Sequence, residues 1–276
     1  MDPLLDLPED LRRHVLGLAE DANTHTPLGP GYERIVDPRF VLFLGPGLDP
    51  HWSVAQRFRL EPADVEPAVR DIRGLLADRG RSSSTWEVGT HATPADLPER
   101  LQALGMVPDD EPFAMGMVLT SPPAGPAASG VTARRVASAD EQRGAVRVMQ
   151  SVFGMAPEQA EPDLARAAAD FAHDGASGDG AMFVATVDGA TVGAGRATHT
   201  PWGVVLNGGS VMPLARGKGA YRALVQARWE VAVERGTPVL VTQAGAMSRR
   251  ILQRLGFREV TEIRIFLDPP AGRGEA

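Results

Sequence analysis

Short apolar runs alternate with stretches of helical spacing through the second half of the chain. Thr132-Ala133-Arg134-Arg135-Val136 predicts an edge strand, Asp140 is placed to cap a helix running to Val152, and a second helix is expected over 163–173. Residues 181–187 and 191–200 read as strands joined by Asp188-Gly189, a two-residue hairpin signal. The run 204–211 predicts a third strand, and a helical pattern starts at Ala220. A short apolar strand over 236–242 and a helix over 247–255 follow, with Gly256 where a C-terminal glycine belongs and a last strand beyond Phe257.

The first half repeats the later part of this order in weaker form. A strand is expected over 53–60, a helix over 61–79, a strand over 83–88, a helix over 94–103 ending at Leu104-Gly105, and a strand over 113–120. Pro122-Pro123-Ala124-Gly125-Pro126-Ala127-Ala128-Ser129-Gly130 has the composition of a linker. Two domains are therefore expected, 1–121 and 131–268. They read as related copies, with an unrelated α/β domain as the alternative for the first.

Arg216-Gly217-Lys218-Gly219 stands between the strand 204–211 and the helix that opens at Ala220. A glycine loop at a helix N-terminus leaves backbone N–H groups pointing outward, and the helix dipole adds positive potential, so the segment suits a phosphate. It is not a Walker loop, because Lys218 is followed by Gly219 instead of Ser or Thr. Nor is it a dinucleotide fingerprint, because Arg222 replaces the third glycine. The loop, read as Arg216 to Ala220, resembles the pyrophosphate loop of the GNAT superfamily of acyl-CoA-dependent N-acyltransferases. Leu255-Gly256-Phe257, closing the last helix, resembles that superfamily's second hallmark. The resemblance covers about half of the chain, 133–267.

The resemblance implies an α/β (α+β) fold with a mixed central sheet flanked by helices, in tandem with a degenerate N-terminal GNAT-like domain. It implies acetyl-CoA as cofactor and a small-molecule or peptide amine as acceptor. Coenzyme A contacts are then expected from Val211, Met212, Arg216, Gly217, Lys218, Gly219, Ala220, Tyr221, Gln243 and Ser248. Gly208-Gly209 predicts a bulge that would splay the strand and release an N–H for the thioester carbonyl. The family's usual tyrosine acid would fall at Leu252, which cannot donate a proton. The catalytic candidates left are Ser248, Asn207 and Tyr221, and His199 closes the strand 191–200 near the expected cleft. The corresponding place in the first half reads Glu61-Pro62-Ala63, with no glycine and one negative charge, so one cofactor per chain is expected. Two readings stay open: an amine acetyltransferase, or an acyl-CoA-binding sensor or scaffold without turnover.

Composition narrows this further. The net charge is −7 over 276 residues. Residues 1–125 carry 20 acidic and 11 basic side chains, a net of −9, and the remainder carries 15 and 17, a net of +2. That balance argues against nucleic acid as a partner and disfavours aminoacyl transfer from tRNA. There is no cysteine, which removes disulfides, thiolate metal sites and a cysteine nucleophile, and no metal site is expected. No apolar run approaches the ~20 residues of a membrane span. No signal peptide is expected, the cytoplasm is the expected location, and a homodimer stays open.

Overall fold

The computed structural model describes residues 4–155 and 157–269. In chain order the elements are α1 (Glu9–Glu20), α2 (Ala22–His25), β1 (Glu33–Val36), β2 (Val41–Leu44), β3 (Ser53–Gln56), α3 (Val65–Ala77), β4 (Ser84–Gly89), α4 (Leu97–Ala103) and β5 (Val107–Leu119). They continue with β6 (Val131–Arg135), α5 (Ala139–Phe153), α6 (Pro157–Ser177), β7 (Gly180–Val187), β8 (Ala190–Thr200), β9 (Gly203–Val211), α7 (Ala220–Glu234), β10 (Leu240–Ala244), α8 (Ala246–Arg254) and β11 (Arg258–Asp268). The mixed α/β class and the element order of the second half agree with the sequence patterns. The helix start differs in detail: Ser138, not Asp140, caps α5, its Oγ accepting from the Glu141 N–H at 3.2 Å.

The chain divides into two compact units that are not contiguous stretches. Of the described residues, the first comprises 4–117, 243–250 and 259–269, and the second 118–155, 157–242 and 251–258. In the first unit the strand order is β1-β2-β3-β4-β11-β5. β11, from the far end of the chain, pairs antiparallel with β4 from Ile263↔Gly89 to Asp268↔Ser84. The linear division at the 122–130 linker does not anticipate this, because alternation along a strand records which face is buried and not which neighbour it pairs with. A core gathers Phe40, Leu42, Phe58, Ile72, Trp86, Leu101 and Phe266, with Phe58 and Trp86 stacked at 5.1 Å. Where the copy of the glycine loop would stand, Pro62–Asp64 form a single 3-10 turn and none of 61–64 has positive φ.

In the second unit the order is β10-β9-β8-β7-β6. β6, β7, β8 and β9 are antiparallel neighbours, and β10 lies parallel to β9. Asp188 and Gly189 take φ of 50° and 83°, the left-handed pair of a tight hairpin turn between β7 and β8. The turn signal in the sequence is thus realised. α5 packs on β8 and β9, and α7 lies across β6 to β9.

Candidate functional site

The site of the second unit is built where β9 ends and α7 begins. Opposite Gly195-Arg196 of β8, β9 supplies three residues, Asn207, Gly208 and Gly209, so Gly208 is the extra residue of a β-bulge. Its φ of 51° is left-handed, which favours glycine there. A Cβ on Gly208 would lie 2.6 Å from the Met149 methyl of α5, and one on Gly209 would lie 2.8 Å from the Tyr221 ring of α7. The bulge is therefore clasped from both faces.

β10 matches β9 only at Leu240↔Val204 and Val241↔Val205, while β9 runs on to Val211. On the other side, the Met212 N–H donates to the Val192 carbonyl at 2.8 Å, which makes 192/212 a hydrogen-bonded pair. By the alternation of antiparallel ladders, the N–H of Val211 then points away from β8, toward the side where β10 has ended its pairing. Val211 can present its N–H to a ligand. Met212 cannot, because its N–H is spent on Val192 and its carbonyl accepts from Ala215 at 2.9 Å.

Beyond Met212 a 3-10 turn, Pro213–Ala215, leads to the glycine loop. Gly217 has φ 79° and Gly219, the residue capping α7, has φ 90°. A Cβ on Gly217 would meet nothing within 4 Å, so the backbone there is open to an approaching group. No side chain caps α7, and its first intrahelical donor is Ala223, bonded to the Gly219 carbonyl at 3.0 Å. The N–H groups of Ala220, Tyr221 and Arg222 thus open the helix without intrahelical acceptors. Exposed Arg216 and Lys218 flank them, Arg216 also reaching the Val211 carbonyl at 3.4 Å. The donor set fits a pyrophosphate: an uncapped helix N-terminus, two left-handed glycines and two cations with no carboxylate paired to them among the described residues.

The linker closes one side of this loop, a contact that composition alone did not reveal. Arg222 donates to the carbonyls of Ala124 at 3.0 Å, Pro123 at 3.4 Å and Gly125. A Cβ on Gly219 would stand 2.7 Å from the Ala128 methyl, so the left-handed glycine also permits the linker's approach. A cleft of about 210 Å³ lies between Ala127, Ala128, β6 and the first half of α7.

The remaining sequence candidates each have partners of their own. Asn207 is exposed, its Oδ1 accepting from the Thr198 hydroxyl at 2.9 Å. Gln243 and Ser248 belong to the first unit: the Gln243 amide donates to the Glu20 carbonyl at 3.0 Å, and the Ser248 hydroxyl to the Gly245 carbonyl at 3.3 Å. His199 is buried, with Nδ1 2.8 Å from the Gly178 carbonyl; burial pushes its pKa down, and its Nε2 is shut off from solvent, so the ring is packed inside the unit instead of facing a cleft. Leu252 is 1% exposed, and its carbonyl accepts from the N–H groups of Leu255 at 2.9 Å and Phe257 at 3.1 Å. The Leu-Gly-Phe segment is thus a helix stop, with Gly256 at φ 100°.

Burial also pushes the Tyr221 phenol above its ordinary pKa. One charged group escaped the sequence reading: Arg228, 1% exposed on the inner face of α7. Its spacing held the signal, since Tyr221, Val225, Arg228 and Ala232 share a single helical stripe.

Among the described residues no cluster of His, Asp and Glu could hold a metal ion, and no helix is long and apolar enough to cross a membrane. No protein-family model and no curated protein sequence matches the chain. Solved structures do. A GCN5-related N-acetyltransferase from Kribbella flavida aligns over 97% of this chain and 98% of its own, at 20% identity and a TM-score of 0.69. One from Sphaerobacter thermophilus aligns over 85% and 82%, at 18% identity and 0.61. A tandem GNAT protein from the clavulanic acid biosynthesis pathway aligns over 98% and 97%, at 15% identity and 0.59. Over nearly its whole length, the chain therefore has the fold of the GCN5-related N-acetyltransferases.

Proposed function

We propose that the chain is an acyl-CoA-dependent N-acyltransferase that moves an acetyl group from acetyl-CoA to the amine of a small molecule or peptide. The observation that carries this reading is the continuity of two features: the bulge at Gly208, and the open glycine nest at Gly217–Ala220. Together they offer a donor-lined path along the free side of β9, with Val211 on the path and Arg216, Gly217, Lys218, Gly219, Ala220 and Tyr221 at its end. Acetyl-CoA supplies the acyl group as an activated thioester. The chain's own contribution is to bind the pyrophosphate and to align the thioester carbonyl with a β9 N–H.

No side chain stands ready as proton donor at the usual helical position, since Leu252 is packed in the core. Direct attack by a neutral amine then needs the thiolate to leave without a side-chain acid at that position. The same observation favours a second reading, a module that binds acyl-CoA without turnover. Mass-spectrometric detection of acetylated product across a panel of amines separates the two. Product that depends on the protein and on acetyl-CoA supports transfer. Tight binding of acetyl-CoA with no product from any amine class supports the module.

A further inference from the structure

A buried cation without a counter-ion lies directly under the bulge. Arg228 donates through Nε to the Leu224 carbonyl at 3.0 Å, and through one terminal nitrogen to the Arg196 carbonyl at 3.2 Å. Arg196 is where the β8–β9 register breaks, so this bond serves a carbonyl next to the bulge. The other terminal nitrogen is shut off from solvent and meets no hydrogen-bond partner among the described residues. No described carboxylate lies within ion-pair distance. Arg196's own guanidinium is turned to Asp174, at 2.7 and 2.9 Å.

The guanidinium sits so close to the strand that a Cβ on Gly195 would stand 3.0 Å from it. Tyr221, about two turns before it, lies against Gly209 on the same side and is the titratable group that acts on Arg228. Burying an uncompensated charge is costly, and burial pushes the Arg228 pKa down to about 10, still far above neutrality. The guanidinium is therefore charged at pH 7. A neutral side chain of similar length would fill the space without that penalty.

We propose that Arg228 is the anion-stabilising residue of this site, its charge held beneath the bulge to favour the thiolate form of coenzyme A. This rests on the reading above, in which the pantetheine arm follows β9. The charge takes over, electrostatically, the help that a side-chain acid at Leu252 would have given. When free coenzyme A binds, its S–H bond ionises, the sulfur keeps the electron pair, and the proton passes to the buffer.

Calorimetric titration of the intact protein in two buffers of different ionisation enthalpy counts the protons released. A bound thiol whose pKa falls from about 8.5 to about 7 releases about two-thirds of a proton at pH 7.5. Acetyl-CoA, which has no thiol, should bind with a buffer-independent enthalpy. Arg228→Met should bind coenzyme A with proton release reduced at least fivefold, and Arg228→Lys, which keeps a charge, should retain at least half of it. A merely structural arginine would lower thermal stability in both variants and leave the proton count intact, which overturns the proposal. So does wild-type protein that binds coenzyme A without releasing a proton, an outcome independent of how the variants fold. Failure of both coenzyme A and acetyl-CoA to bind would refute the functional reading itself.

Discussion

Glu87 gives the sharpest test of the electrostatics of the first unit. It lies on β4, and its Oε2 is sealed from solvent with no hydrogen-bond partner among the described residues. Burial first, and the nearby Asp21 carboxylate second, push its pKa from 4.5 to about 7, with His51 opposing. The folded state thus holds this proton more tightly than the unfolded chain does. The stability conferred is whole below about pH 4.5 and is lost as pH rises to about 7. At ~1.4 kcal/mol per pH unit, the ionised carboxylate costs the fold about 3 kcal/mol at pH 8. Glu87→Gln removes the charge but buries an amide donor, which costs about 1–2 kcal/mol if left unpaired. The variant should therefore be less stable than wild type near pH 4 and more stable by about 1–2 kcal/mol at pH 8. Asp21, raised to about 6 chiefly by burial, titrates in the same window, so the steps belong to the pair. Urea unfolding from pH 4 to pH 8, with matched m-values, measures the difference. A difference between variant and wild type that stays constant across that range would refute the reasoning.

Other perturbations test the second unit. Gly219→Asp places a side chain at φ 90°, beside Ala128, and a negative charge at the nest. Acetyl-CoA affinity measured by calorimetry should fall at least tenfold, and an unchanged affinity would remove the loop from the site. Leu252→Ala empties a fully packed position and should cost about 2–5 kcal/mol in chemical unfolding. Single-turnover rates at saturating cofactor should stay within a few-fold of wild type, and a hundredfold loss with the fold intact would show that position 252 matters to the chemistry. Gly208→Val combines a left-handed φ with a 2.6 Å approach to Met149, and should destabilise the bulge by at least ~1–2 kcal/mol in urea unfolding.

Much of the second unit was legible because its signals are local. Asp188-Gly189, Gly208-Gly209, Gly219 and Gly256 each mark a left-handed or bulged backbone that few other residues adopt, and the chain bends at each of them. Long-range features were not legible. β11 satisfies the same alternation beside β4 as it would beside a strand of its own half, so its place in the first unit is invisible in its pattern. The linker's composition marked a connection but not its partner: Arg222 ties it down through backbone carbonyls, acceptors that every sequence carries. Arg228 was overlooked because a helical arginine is ordinarily solvated. Here the missing Cβ atoms of Gly195 and Gly209 leave room for a guanidinium and a phenol beneath the sheet.

The central claim is a single acyl-CoA site, formed by the bulge and glycine loop of the second unit. Titration of the intact chain with acetyl-CoA by isothermal calorimetry tests it most directly. Among the described residues the positive-φ loop before a helix is found at 217–219, and the corresponding segment 61–64 lacks both the left-handed positions and, at Pro62, a backbone donor. The account predicts saturation at one equivalent per chain. No binding at all, or saturation at two equivalents, would contradict it.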